Sequence, residues 1–216
     1  MATEIIPIRY KAAGNLLLLS YFMRLIFTVL LVGILPTSSP VLYFGVVGLI
    51  LSGIWIYIWL AFRKVLHEHF RDKSIDPFIW IIIAASLLPA LSSMIGRWDF
   101  APEFYGKIVG TGIAGTYIVF AVKIFTMEGS LFNLKKQYAT TLIAQNLISL
   151  FTYQLFQLYR IPIAFTVIRI VEFAVTLLGV IFLYRIFRLA DKTPLPSAQK
   201  DEENLIDQIG GKIEEI

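Results

Sequence analysis

The sequence contains no cysteine and only two histidines, and these shortages exclude several kinds of chemistry. Without cysteine the chain forms no disulfide, zinc–thiolate site, iron–sulfur cluster or thiol nucleophile. The histidines, His67 and His69, flank Glu68, and residues two positions apart in a helix point to different sides. They therefore cannot share a metal ion in a helix, and neither lies inside an apolar segment where paired haem ligation would need it. We expect no cofactor and no metal site.

Catalytic motifs are also missing from the sequence. It has no HExxH, GxSxG, Walker or GxGxxG pattern. Among the charged residues inside the apolar segments, only Glu172 is a carboxylate, so an intramembrane pair of aspartates is excluded. We therefore expect that the chain is not an enzyme.

Charged residues make up only 16% of the chain, whereas soluble domains carry about a quarter. Hydrophobic residues reach 57%, and they come in blocks of about twenty, the length that crosses a bilayer core. The net charge of +4 does not indicate a nucleic-acid partner, because the basic residues flank the apolar blocks. The expected environment is a lipid bilayer.

Six apolar blocks predict an all-α, polytopic membrane protein with six transmembrane helices arranged as three hairpins. Proline marks several block edges, as expected from its tolerance in the first turn of a helix. Residues 1–190 form the predicted transmembrane domain, and residues 191–216 a cytoplasmic linker and amphipathic tail. The predicted spans are approximately 15–35, 41–62, 78–96, 105–125, 140–158 and 163–187.

The distribution of lysine and arginine predicts the orientation of these spans. Fourteen of these residues fall on one side of the predicted membrane, and only Arg97, Lys107 and Arg160 fall on the other. Basic loops face the cytoplasm. The sequence therefore predicts a multi-pass protein of the plasma (inner) membrane with both termini cytoplasmic.

Three charged residues lie inside predicted spans, where each needs a partner or water. Arg24 and Glu172 are each about ten residues from one end of a span, close to the bilayer midplane at 1.5 Å per residue. Arg169 precedes Glu172 by one helical turn. We expect the three to share one buried polar site that takes a small anionic or zwitterionic solute. The alternative is a structural ion pair that fixes helix packing.

The fifth predicted helix carries a polar stripe that would extend this site. Asn146, Tyr153 and Gln157 follow one helical face, together with Ser149, and Gln145 broadens the stripe. Amides and hydroxyls in a membrane helix usually face protein or water. A lined cavity, hydrogen bonds between helices and a subunit interface all fit this pattern.

The fourth predicted helix carries small residues at four-residue spacing, namely Gly106, Gly110 and Ala114. Such spacing lets helix backbones approach closely. We interpret these residues as sites of close helix packing, either within the chain or between protomers.

Two functional hypotheses follow from the sequence. The first is a transporter-like or channel-like protein with a polar site between helices one, five and six. The second is a non-catalytic subunit, assembly factor or sensor module that binds protein partners through the inner loops and the tail.

Overall fold

The computed structural model describes residues 8–33, 41–70, 72–95, 102–128, 132–159 and 162–193. Side chains are described for residues 8–23, 25–26, 48–70, 72–87, 110–128, 133–152 and 167–193. These ranges hold six helices and no strand, which confirms the expected all-α bundle. The helices are α1 (Tyr10–Gly33), α2 (Val41–Phe70), α3 (Asp76–Ile95), α4 (Pro102–Thr126), α5 (Phe132–Tyr159) and α6 (Pro162–Ala190).

The helix boundaries follow from local chemistry. Pro102 and Pro162 are the first residues of their helices, where a missing N–H leaves no carbonyl unpaired. Asp76 is the first residue of α3, where its negative charge interacts favourably with the helix dipole. Helix α2 continues to Phe70, past the predicted end of the second span. The linker from residue 194 onward and the amphipathic tail lie outside the described residues.

The six helices form a closed ring. Each helix packs against its neighbours in the chain, and α6 returns to pack against α1. The three predicted hairpins are therefore not separate units, because α2 also packs on α3 and α4 on α5. Helices α2 and α6 touch across the ring.

One end of the ring carries most of the described basic side chains, and we call it the basic end. Helices α1, α3 and α5 begin there, and α2, α4 and α6 end there. Contacts across this end confirm the antiparallel arrangement: Arg9 N–H donates to the Tyr57 hydroxyl at 3.1 Å, and Lys123 Nζ donates to Ser74 Oγ at 2.9 Å. The basic residues at this end are Arg9, Lys11, Arg63, Lys64, Lys73, Lys123, Lys135, Lys136, Arg185, Arg188 and Lys192.

The half of the ring next to the basic end has a tightly packed apolar core. All six helices or their ends contribute to it, and its largest members are fully buried. These include Leu17, Phe62, Leu66, Ile79, Phe120, Ile124, Ile186 and Phe187.

The outer surface of the ring is also apolar. Large exposed hydrophobic side chains occur on every helix, for example Phe22, Ile50, Ile81, Val122 and Phe151. Where side chains are described, two segments are long and apolar enough to cross a membrane by length and composition: Gly48–Phe70 and Val167–Ala190. The parts of α3 and α4 with described side chains, Asp76–Leu87 and Gly110–Thr126, are shorter apolar segments.

Candidate functional site

A cavity of about 530 Å³ lies in the middle of the ring, and all six helices contribute to its wall. Helices α1 and α2 supply one side, α5 and α6 the other, and α3 and α4 add one residue each. The polar and aromatic lining residues are Ser20, Tyr21, Ser52, Trp55, Trp59, Ser86, Tyr117, Tyr138, Thr141, Gln145, Asn146 and Thr176.

A cluster of aromatic rings closes the cavity towards the basic end. Trp59 lines the cavity and packs against Tyr117 and Phe120 at centroid distances of 5.9 and 5.7 Å. Phe62, one turn closer to the basic end, meets Tyr138 edge-on at 5.3 Å. We call Trp59, Phe62, Tyr117, Phe120 and Tyr138 the aromatic floor.

Hydroxyl groups in the wall have a defined hydrogen-bond direction. Ser20 Oγ lies 2.8 Å from the Leu17 carbonyl oxygen, and Thr141 Oγ1 lies 2.7 Å from the Tyr138 carbonyl oxygen. A carbonyl oxygen only accepts, so each hydroxyl donates its proton there and keeps its lone pairs. The same holds for Ser86 towards Ile83, Thr176 towards Glu172, and Ser52 towards Ser86 on the neighbouring helix.

These bonds explain how the wall residues are tolerated inside apolar helices. A serine or threonine that donates to the carbonyl three or four residues earlier leaves no unsatisfied donor. Asn146 does the same with one amide proton, since its Nδ2 lies 2.8 Å from the Leu142 carbonyl oxygen. The Tyr21 hydroxyl is buried and has no hydrogen-bond partner within the described part of the chain.

Two of the predicted site residues on α5 line the cavity, namely Gln145 and Asn146. Tyr153 and Gln157 belong to α5, but their side chains lie outside the described residues. Arg24 belongs to α1, and its side chain is likewise outside them. The sharing of one site by Arg24 and Glu172 therefore stays a prediction.

Arg169 and Glu172 form an ion pair, with Arg169 Nη1 2.8 Å from Glu172 Oε2. The Arg169 side chain is 56% exposed, so this charge is not buried inside the bundle as expected. The reason is that α6 is largely exposed around Val167 to Ala174 and becomes buried only from Gly179 onward. Neither Arg169 nor Glu172 is among the residues that line the cavity.

The small residues of α4 occupy different environments. Ala114 is buried, whereas a Cβ atom built at Gly110 meets no atom within 4 Å. Gly106 belongs to α4, but its surroundings lie outside the part of the chain with described side chains. Close packing of Gly110 is therefore not seen within the described chain, and packing between protomers stays a prediction.

The sequence analysis predicted that helix one contributes to the site through Arg24, but it did not identify the side chains of α1, α2 and α3 that line the cavity. Ser20, Ser52 and Ser86 are single hydroxyls in apolar runs, and Trp59 resembles an ordinary packing residue in the sequence. The feature that could have identified them is a hydroxyl group in the middle of an apolar span, since such groups face protein or water.

The basic end contains a polar network around Asp76. Asp76 accepts two hydrogen bonds from Arg63, at 2.9 and 2.5 Å, and lies 2.6 Å from His67 Nε2. The hydrogen bonds from Arg63 hold the pKa of the Asp76 carboxyl below its ordinary value. The described residues contain no cluster of three potential metal ligands, and His67 contacts Asp76 while His69 is buried.

Comparisons of the chain with protein families, with curated proteins and with solved structures find no match. The functional argument therefore rests on the ring of helices, its polar cavity and its apolar outer surface.

Proposed function

We propose that the chain is a six-span protein of the plasma (inner) membrane, with both termini cytoplasmic, that binds a small polar solute in its central cavity. Its mode of action would be transporter-like or channel-like. The observation that carries the proposal is a cavity with hydroxyl and amide groups in its wall, inside helices whose described outer surface is apolar, a contrast that we call inverted polarity.

Nearby residues on the same helix illustrate this inversion. On α1, Ser20 lines the cavity and is 1% exposed, whereas Leu19 is 51% exposed. On α2, Ser52 lines the cavity, whereas Ile50 is 60% exposed. Large apolar surfaces are unfavourable in water but match lipid tails, and polar groups in a membrane protein face its interior.

Helix length supports membrane crossing by all six helices. The shortest, α3, has 20 residues and the longest, α2, has 30. At about 1.5 Å per residue they reach about 30–45 Å, enough for a hydrocarbon core of about 30 Å. The clustering of lysine and arginine at one end supports a cytoplasmic position for that end.

The aromatic floor suggests the side from which solute enters. Because the floor lies between the cavity and the basic end, we expect that solute does not enter from the proposed cytoplasmic side in this conformation. The cavity would therefore be reached from the opposite, external side.

Single cysteines test the proposal cleanly, because the natural chain has none. The cavity variants are Ser20→Cys and Ser52→Cys, and their matched controls are Leu19→Cys and Ile50→Cys at similar depth on the outer surface. Each variant is expressed in cells, and a small membrane-impermeant methanethiosulfonate is added from outside. Remaining free cysteine is then counted by mass spectrometry.

We expect the two cavity cysteines to react and the two lipid-facing cysteines to stay unmodified. The same reagent should modify all four after denaturation in detergent, which controls for intrinsic reactivity. Equal reaction of cavity and outer cysteines would contradict the inverted polarity. If neither cavity cysteine reacts from either side of sealed vesicles, the solute-binding proposal is refuted.

A further inference from the structure

The cavity wall offers hydrogen-bond donors and acceptors together. Its serine and threonine hydroxyls donate to backbone carbonyls and keep their lone pairs. Side chains with N–H donors also line the cavity, namely Trp55, Trp59, Gln145 and Asn146. None of the lining residues that the structure describes is charged, and a buried ion needs an opposite charge beside it. An uncharged solute that both donates and accepts hydrogen bonds therefore matches this wall.

The primary amide of Gln145 is available to a ligand. The Gln145 side chain is half-buried, lines the cavity and makes no hydrogen bond to any residue within the described ranges. Asn146 differs, because its Nδ2 uses one proton on the Leu142 carbonyl oxygen at 2.8 Å. A primary amide has two N–H donors and a carbonyl oxygen with two lone pairs. Gln145 therefore presents a donor and an acceptor side by side, in one plane.

A hydroxyl acceptor lies next to this amide. Thr141 precedes Gln145 by four residues, so the two side chains share a face of α5. Thr141 Oγ1 donates to the Tyr138 carbonyl oxygen at 2.7 Å and keeps its lone pairs. A Cβ built at Gly179 on α6 would lie 3.3 Å from Thr141 Oγ1, so glycine at this position leaves the hydroxyl uncrowded. The amide and the hydroxyl thus form one polar subsite where α5 packs on α6.

We infer that the cavity binds an uncharged solute with an amide-type group, an N–H donor beside a carbonyl acceptor, and that this group pairs with the Gln145 amide. Two hydrogen bonds in one plane fix the solute's orientation as well as its position, and a second N–H of the solute would donate to Thr141 Oγ1. A carboxylate only accepts and an ammonium group only donates, so each would leave half of the Gln145 amide unpaired. The inference rests on the proposed function and specifies its solute class.

This solute differs from the anionic or zwitterionic one expected from the sequence. That expectation rested on charged residues inside the spans, and two of them, Arg169 and Glu172, pair with each other and do not line the cavity. The volume of about 530 Å³ lies within the range of small-molecule sites, about 300–1,000 Å³. Apolar lining residues such as Leu142 and Val180 suit the remainder of a solute that has one amide-type end.

Four probes of one planar shape separate the effects of donor, acceptor and charge. Benzamide has a donor and an acceptor, acetophenone has a methyl group in place of the NH₂, benzoate is an anionic acceptor, and benzamidinium is a cationic donor. Each is tested for its ability to slow modification of purified Ser20→Cys by a neutral methanethiosulfonate, in nanodiscs that leave both faces accessible. We expect benzamide to protect at a concentration about tenfold lower than the other three, a difference of about 1.4 kcal/mol. Lys73→Cys, at an exposed position of the basic end, should react at the same rate with and without each probe.

Substitution of Gln145 in the Ser20→Cys background tests the pairing. Gln145→Leu removes the donor and the acceptor and keeps a similar volume, so benzamide should lose its advantage over acetophenone. Thr141→Val, which keeps the shape and removes the lone pairs, should lower that advantage several-fold. Gln137→Leu is the matched control, because it makes the same substitution on the same helix at an exposed position that does not line the cavity. It should leave the advantage of benzamide unchanged.

The outcomes separate this inference from the proposed function. Equal protection by benzamide and acetophenone, or stronger protection by benzoate or benzamidinium, would leave a solute cavity and overturn the amide assignment. The assignment also falls if Gln145→Leu weakens all four probes equally, since the residue would then act on the structure alone, or if no probe protects a reactive Ser20→Cys. If the reagent reaches Ser20→Cys from neither face, the proposed function falls as well.

Discussion

Truncation of Phe62 tests whether the inside of the ring is packed as the structure has it. Phe62 is 1% exposed, and its ring lies 5.3–6.4 Å from those of Trp59, Phe120, Tyr138 and Phe187. Three of these contacts are close to perpendicular, the edge-to-face geometry that aromatic pairs favour. Phe62→Ala removes all of these contacts and leaves a hole beneath the cavity.

The expected loss of stability can be estimated from two contributions. Each aromatic pair contributes about 0.5–1.5 kcal/mol beyond its buried area, and Phe→Ala in a packed core usually costs about 3–5 kcal/mol. In a membrane the transfer part is small, because lipid is as apolar as the core, while the loss of packing remains. We expect Phe62→Ala to lower the free energy of unfolding by about 3 kcal/mol.

Phe151→Ala is the matched control, because Phe151 is 63% exposed on the outer surface. The two variants remove the same side chain, and only Phe62→Ala should create a cavity in the protein. Thermal and denaturant unfolding in the same detergent or bicelle would compare them with the natural chain. Equal losses of stability for the two variants would refute both the packing of the floor and the inside–outside assignment.

Three further predictions concern single positions. Asp76→Asn should lower the free energy of unfolding by about 1 kcal/mol at neutral pH. This value lies between the contribution of an exposed ion pair and that of a hydrogen bond to a charged group. Because Arg63 lowers the pKa of Asp76 below 3.8, that stabilisation is present above this pH and is lost as the pH falls further, so denaturant titrations should show a smaller acid dependence in the variant. Gly179→Leu should slow modification of Ser20→Cys, because a Cβ at position 179 would lie 3.3 Å from Thr141 Oγ1 and the longer side chain would enter the cavity. An unchanged rate in a folded protein would contradict the position of Gly179 in the wall. Gly14→Ala should destabilise the α1–α6 contact, because the new Cβ would lie 3.1 Å from the Tyr184 ring. Gly110→Ala, whose new Cβ would meet no atom within 4 Å, should stabilise the protein by about 0.5–1 kcal/mol through helix propensity. Thermal unfolding that reversed this order would refute both assignments.

The helices were predictable from the sequence because their signal is local. An apolar block of about twenty residues, bounded by proline and basic residues, fixes a helix without knowledge of its neighbours. Of the polar stripe on α5, Gln145 and Asn146 line the cavity, whereas Ser149 is exposed and does not line it.

The cavity was not predictable because it depends on ring closure. Helices α1, α2 and α3 carry only scattered polar residues in their apolar stretches, so the sequence does not show which face turns inward. A single hydroxyl such as Ser20 or Ser86 becomes part of a site only when α6 packs against α1 and brings the walls together. Arg169 is more exposed than the sequence predicts, because it pairs with Glu172 on a largely exposed stretch of α6, and whether the two share a site with Arg24 stays a prediction.

The side chains of the cavity wall bear on whether the bundle is purely structural. A dry, closed hole in a protein costs about 24 cal/mol per Å³, so a purely structural bundle gains stability when larger side chains fill such a space. Larger side chains at Gly179, Ser20 or Ser52 would fill the space, yet the chain places small and polar residues there. Polar groups in the wall let water occupy the cavity, and the proposed binding of a solute would displace that water.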